Sequence, residues 1–249
     1  MMSALELEMQ RIVDEAEIHG ICLRLLGGLA VKVHCPSANH RALTRKVPDM
    51  DFLTDQAGGK KLEAFFTGLG YEGDKTLNLL NGDRRQLYFS PDGDSQVDVF
   101  VGNFEMCHKL PVGERVKQDR PTLPLAELFL TKAQIVELNR KDAQDLIALL
   151  ADHPVGEGDL ETINGSVVAD YCAKDWGLYT TVHLTLQKMS ELIIKDEISL
   201  DPDQEALVLK RTDELRQMML SVAKPLAWKL RDRVGTRMRW YEEVEEVRR

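Results

Sequence analysis

The stretch Pro48-Asp49-Met50-Asp51-Phe52-Leu53 constrains this chain more than any other. Two carboxylates separated by one apolar residue, then Phe52 and Leu53, predict a strand that starts at or near Asp49. Side chains alternate across a strand, so Asp49 and Asp51 project from one face while Met50 and Phe52 turn to the other. Like charges held that close repel, which is costly unless a cation lies between them; hard carboxylate oxygens suit Mg²⁺ or Mn²⁺. The competing reading is a solvated strand edge with two ordinary surface acids. The polar connection over residues 37–48 brings Arg41, Arg45 and Lys46 next to the pair.

The periodicity on either side gives this strand its setting. Ser3 can cap a helix whose apolar positions are Leu5, Met9, Ile12, Val13 and Ala16, with Gly20 closing it. Residues 21–26 form a short apolar run that ends abruptly at Gly27-Gly28 and reads as a buried strand. Residues 29–35 read as a helix that stops before Pro36. After the acid pair, residues 60–69 form an amphipathic helix with Gly70 beyond its end. A β-meander is expected next: strands over residues 76–80, 84–89 and 96–101, joined by a hairpin turn at Asn81-Gly82 and a second turn through Pro91, Asp92, Gly93 and Asp94. Asp92 and Asp94 suit turn chemistry. Asp98, mid-strand between two valines, does not.

From Pro124 the pattern is helical, with helices expected over residues 125–139, 142–150, 159–174 and 181–194. A break at His153-Pro154 and a glycine-rich turn through Gly158 interrupt them. Asp201-Pro202-Asp203-Gln204 starts another helix. The last begins at Pro225, with an apolar stripe of Leu226, Leu230, Val234, Met238 and Tyr241. These expectations define an α+β protein: a sheet with flanking helices in residues 1–122 and a C-terminal helical domain in residues 123–249.

Composition narrows the function classes. A chain of 249 residues, 43% hydrophobic, can bury a real core, and its net charge of −9 argues against a protein that coats nucleic acid generally. One local exception is the last helix, where Lys224, Lys229, Arg231, Arg233, Arg237 and Arg239 face one acid, Asp232. That run suits an RNA backbone or an acidic acceptor. Salt bridges to the acids at positions 242, 243, 245 and 246 are the competing reading. The four cysteines form no Cys-x-x-Cys, the six histidines show no metal-ligand spacing, and residues 1–10 hold two glutamates and no long apolar stretch. No segment approaches bilayer-spanning length. The expectation is a reduced, cytoplasmic protein with no membrane partner.

In order along the chain, Leu25-Leu26-Gly27-Gly28, Asp49-Met50-Asp51-Phe52 and Val97-Asp98-Val99-Phe100 resemble the nucleotidyltransferase superfamily of the DNA polymerase β type. The resemblance covers about the first hundred residues and implies the nucleotidyltransferase fold there, a mixed sheet with flanking helices. It implies Mg²⁺- or Mn²⁺-dependent transfer of a nucleoside monophosphate from an NTP to an acceptor hydroxyl, with release of pyrophosphate. Asp49, Asp51 and Asp98 become metal ligands and catalytic residues, Asp98 also being a candidate base. Gly27 and Gly28 become the nucleotide-phosphate turn, where Gly28 offers only its backbone. A second likeness is to the abortive-infection (AbiEii-like) toxin nucleotidyltransferases, through Lys132-Ala133 and Arg140-Lys141-Asp142-Ala143-Gln144-Asp145-Leu146. It implies that Lys132 and Arg140, expected on one helix face, contact nucleotide together with Arg45, and it makes Asp142 and Asp145 candidates for activity. Val47 and Pro48 depart from that family's Arg-x-Thr-x-Asp-x-Asp pattern. A tRNA, protein or small-molecule acceptor all remain open, with an antitoxin as the implied protein partner. A catalytically weak nucleotide- or partner-binding protein and an NTP-independent nuclease are the rival classes.

Overall fold

The computed structural model describes residues 3–93 and 95–243. The chain divides into two compact units: Met1–His34, Lys46–Glu105 and Leu110–Pro124 form the first; Cys35–Arg45, Met106–Lys109 and Leu125–Arg249 form the second.

In the first unit, Ser3 and Glu6 make a reciprocal capping box that starts α1 (Ala4–Ile18), whose Met9, Ile12, Val13 and Ala16 are buried. Gly20, at φ +64°, turns the chain out of it. β1 (Leu23–Leu26) is buried throughout and runs directly into α2 (Gly27–His34). Then follow β2 (Met50–Thr54), the short α3 (Gln56–Gly59), α4 (Leu62–Gly68), β3 (Glu72–Gly73), α5 (Lys75–Asn81), β4 (Arg85–Phe89), β5 (Gln96–Val101) and the two-residue strand β6 (Phe104–Glu105); β7 (Lys109–Leu110) has its first residue in the second unit and its second in the first. The sheet order is β1-β2-β5-β4-β3. β2 and β5 are parallel and the three other strand pairings of this sheet are antiparallel, so the sheet is mixed; Leu25 of β1 also makes an isolated parallel bridge to Thr122. The parallel pair requires a crossover, which residues 55–95 supply. Phe66 of α4 stacks on Tyr88 of β4 at 4.3 Å between centroids and anchors one face of the sheet.

One element differs in kind from the sequence expectation. Residues 76–80 are not a strand but belong to α5, so Asn81-Gly82 is not a hairpin turn. Asp74 caps the helix by accepting from the Thr76 and Leu77 amides, and Leu79 and Leu80 are 85% and 71% exposed. Asn78 pairs with both backbone groups of Leu87, meeting the hydrogen-bonding needs of β4 from a helix. A short Leu-rich run carries no periodicity strong enough to tell the two states apart, and the cap decides. The turn after β4 has Gly93 at φ +75°, while Asp94 lies outside the described residues.

The second unit contains α6 (Leu125–Ala133), α7 (Arg140–Asp152), the paired two-residue strands β8 (Val155–Gly156) and β9 (Ile163–Asn164), α8 (Gly165–Lys174), α9 (Trp176–Ile194), α10 (Pro202–Ser221) and α11 (Leu226–Val234). Side-chain caps set most of the boundaries. Asn139 accepts from the Asp142 amide and starts α7, so the helix expected over 125–139 ends at Ala133, and Lys132 and Arg140 lie on different helices. Asn164 starts α8 and Asp175 starts α9. Asp201 caps α10 with Pro202 at its first position, as the sequence indicates.

The basic run over 224–239 is not one helix. α11 stops at Gly235, φ +60°, and the chain is extended at Met238. Its expected apolar stripe is also not a core face, because Leu226 is 73% exposed and Leu230 51%. The docked side is polar-aromatic instead. Trp228 donates to the Cys172 carbonyl at 3.1 Å, Trp176 donates to Asp232 at 2.7 Å, and the Arg231 guanidinium lies 4.2 Å from the Trp176 ring centre. Three directional contacts to α8 and α9 outweigh the burial of two leucines. Among the described residues, no helix is long and apolar enough to cross a membrane.

Candidate functional site

The acids of the first unit are placed by strand register. Leu26 on β1 faces Asp51 on β2, Asp51 faces Asp98 on β5, and Asp98 faces Leu87 on β4. Residues in register share a face of the sheet, so Asp51 and Asp98 stand side by side on neighbouring strands about 4.8 Å apart, between two leucines. Asp98 is 4% exposed and Asp51 half-buried. Asp49 immediately precedes β2 and is also half-buried.

Gly27 closes this row from the β1–α2 turn. Its φ of +74° disfavours any other residue, and a Cβ built there would lie 2.2 Å from Asp51 Oδ2. The carboxylate therefore occupies the space that a side chain at position 27 would fill, against the first residue of α2, where helix geometry favours negative charge. Gly28 is buried in the first turn of the same helix.

Arg85 was not singled out from the sequence. It lies on β4 opposite Phe100, on the face that carries Asp98. Its Nε donates to Asp98 Oδ1 at 2.9 Å and to Oδ2 at 3.1 Å, and its Nη2 pairs with Oδ2 as well. The guanidinium lies 5.1 Å from the centre of the Phe100 ring. The hydrogen bonds to Asp98 raise the Arg85 pKa against the opposing effect of burial, with the charges of Asp98 and then Asp51 adding to the rise. Period-two alternation would have exposed the pairing had the turn at 91–95 been fixed in register. Among the described residues, Asp49, Asp51 and Asp98 do not form a set of three whose ligand atoms all lie within 4.8 Å of one another.

The donor types suit a hard divalent cation: Asp51 and Asp98 are adjacent and offer carboxylate oxygens, and the bare Gly27 Cα gives the Asp51 carboxylate the space that a Cβ would take. The positive charge next to Asp98 is that of Arg85.

In the second unit the structure gathers Arg45, Lys132, Asp142 and Asp145. Arg45 grips Asp145 with a two-pronged bond, Nε to Oδ1 at 2.8 Å and Nη2 to Oδ2 at 2.6 Å. Lys132 Nζ reaches Asp145 Oδ2 at 2.9 Å and Asp142 Oδ1 at 3.3 Å, and Asn139 donates to the other Asp142 oxygen at 2.7 Å. Burial alone would push the Asp145 carboxyl up. Lys132 and Arg45 outweigh it and hold the group below its ordinary range. Burial likewise pulls the Lys132 ammonium down, and Asp145 and Asp142 more than reverse this. Arg140, the first residue of α7, is exposed and outside this cluster. Arg45 and Lys132 are thus the counter-charges of a buried aspartate.

No protein-family model matches the chain, and a search of the curated proteins finds no match.

Proposed function

We propose that this chain is a nucleotidyltransferase with the fold of that superfamily, moving a nucleoside monophosphate from an NTP to an acceptor hydroxyl. The observation that carries the reading is the in-register pair Asp51 and Asp98 on the parallel strands, with Gly27 bare against the Asp51 carboxylate. Asp51 and Asp98, with Asp49 alongside, would hold Mg²⁺ or Mn²⁺, which when bound neutralises polyphosphate charge and lowers the pKa of a coordinated oxygen. Gly27 and Gly28 admit phosphate close to the backbone at the start of α2. In the reaction the acceptor oxygen bonds to the α-phosphorus while the bond from that phosphorus to the α–β bridging oxygen breaks. The electron pair leaves with pyrophosphate, and the hydroxyl proton passes to a carboxylate, for which Asp98 is the candidate. The exposed Lys229, Arg233 and Arg237 suit a polyanionic acceptor such as tRNA better than a small neutral one. An acceptor protein and an antitoxin partner follow from the toxin-family resemblance alone.

The test offers the purified protein Mg²⁺ or Mn²⁺ and each α-labelled NTP, with total RNA, total protein and a metabolite extract as acceptors. Label is expected in one fraction and absent with Asp51→Asn. Failure of every NTP to bind in equilibrium dialysis would overturn the assignment.

A second reading, a nucleotide- or partner-binding protein without turnover, is favoured by one observation. Arg85 already neutralises Asp98, as Arg45 and Lys132 do Asp145. NTP binding without label transfer, unchanged by Asp98→Asn, would select it.

A further inference from the structure

We propose that Arg85 is a displaceable counter-cation that sets the metal affinity of the acid pair: it holds Asp98 in the metal-free protein and competes with a divalent ion shared by Asp51 and Asp98. The inference rests on the metal-dependent reading above and names the residue that regulates that site.

The geometry sets the two cations in competition. Arg85 engages both oxygens of Asp98, so a divalent ion beside Asp51 meets a carboxylate whose charge and best-placed lone pairs are already engaged. Asp98 needs a positive neighbour, because a carboxylate this deeply buried is strongly disfavoured without one. Arginine cannot leave by losing its proton, so it leaves only by moving. It is free to do so: the Arg85 side chain is 29% exposed against 6% for Asp98, and across from Asp98 it rests on the Phe100 ring. Asp51 stands beside Asp98 on the neighbouring strand, so the guanidinium is bonded to one of the two adjacent acids that would hold an ion. A strut that merely joined β4 to β5 would be needed equally with and without metal. A counter-cation competes with it.

Competition has a measurable consequence. If the metal-competent state, with Arg85 swung away, makes up about one molecule in ten, the apparent affinity for metal is about tenfold weaker than the intrinsic one. Mn²⁺ alone, without nucleotide, is titrated into the full-length protein and free Mn²⁺ is read by its EPR signal, for wild type, Arg85→Gln, Arg85→Lys and Asp98→Asn. Arg85→Gln is expected to bind Mn²⁺ about tenfold more tightly. Arg85→Lys, which keeps the charge but loses the fork, should fall between it and wild type, and Asp98→Asn should lose binding. Thermal unfolding adds a readout independent of activity: Arg85→Gln should melt below wild type without Mn²⁺ and recover with it. Equal or weaker Mn²⁺ binding by a folded Arg85→Gln would overturn the proposal and leave the metal-dependent reading standing. If Arg85→Gln does not fold, Arg85→Lys decides, and affinity no tighter than wild type overturns it. Absence of Mn²⁺ binding in wild type and both Arg85 variants would overturn the metal-dependent reading itself.

Discussion

Gly27 shows how much one residue can carry. Its positive φ and its contact with Asp51 Oδ2 are separate demands, and alanine violates both. The backbone demand alone costs about 1–2 kcal/mol. Gly27→Ala is therefore expected to lower the unfolding free energy in urea by at least that much and to weaken Mn²⁺ binding, because the Asp51 carboxylate must move. Asp145 gives a second prediction at this scale. Its pKa is lowered in the folded protein from an ordinary 3.8, so its stabilisation is full above that value and is lost as pH falls through the depressed one. Asp145→Asn should cost about 3 kcal/mol near pH 7, by leaving Arg45 and Lys132 without their buried partner. The difference from wild type should shrink as the pH of the denaturation series drops below 3.8. The glycine turn and the Asp-x-Asp strand were legible in the sequence because each is local. Arg85 and the Arg45–Asp145 fork were not, because they join residues thirteen and a hundred positions apart.

At the scale of elements, caps were read better than apolar runs. Ser3 and Asp201 each begin a helix where their neighbours say they should, since a cap acts within three residues. The run at 76–80 misled because leucine is compatible with either state, and only the Asp74 cap and the Asn78–Leu87 pairing decide it. The consequence can be measured. Leu79→Ser and Leu80→Ser, exposed on α5, should each change stability by no more than about 0.5 kcal/mol. Asp74→Ala should cost about 1 kcal/mol, with the loss seen in the helical signal on thermal unfolding. A strand with buried leucines would give the opposite ranking. α11 teaches the same lesson in reverse. Its leucine spacing suggested a core face, but two tryptophans and an arginine turn the helix over. Contacts of that kind belong to tertiary neighbours that no helical period reports.

For the whole molecule, a first part of strands and helices and a predominantly helical remainder were legible from periodicity, whereas the directions of the strands and the path of the chain between the units were not. The second unit takes in Cys35–Arg45 and Met106–Lys109 as well as everything after Pro124. These borrowed pieces are integral to it: the Asp152 carboxylate accepts from the Ser37 amide, Gln144 donates to the Ala42 carbonyl, and Arg45 grips Asp145. A fragment of residues 125–249 alone is therefore expected to unfold at lower temperature than the same helices in the full chain, and a peptide of residues 35–46 added in trans should raise its melting point. A fragment as stable without the peptide as with it would sink this expectation. The threading also bears on descent. A body assembled from three separate stretches cannot be gained, lost or exchanged by one recombination event, because any single crossover hands it on with a part missing.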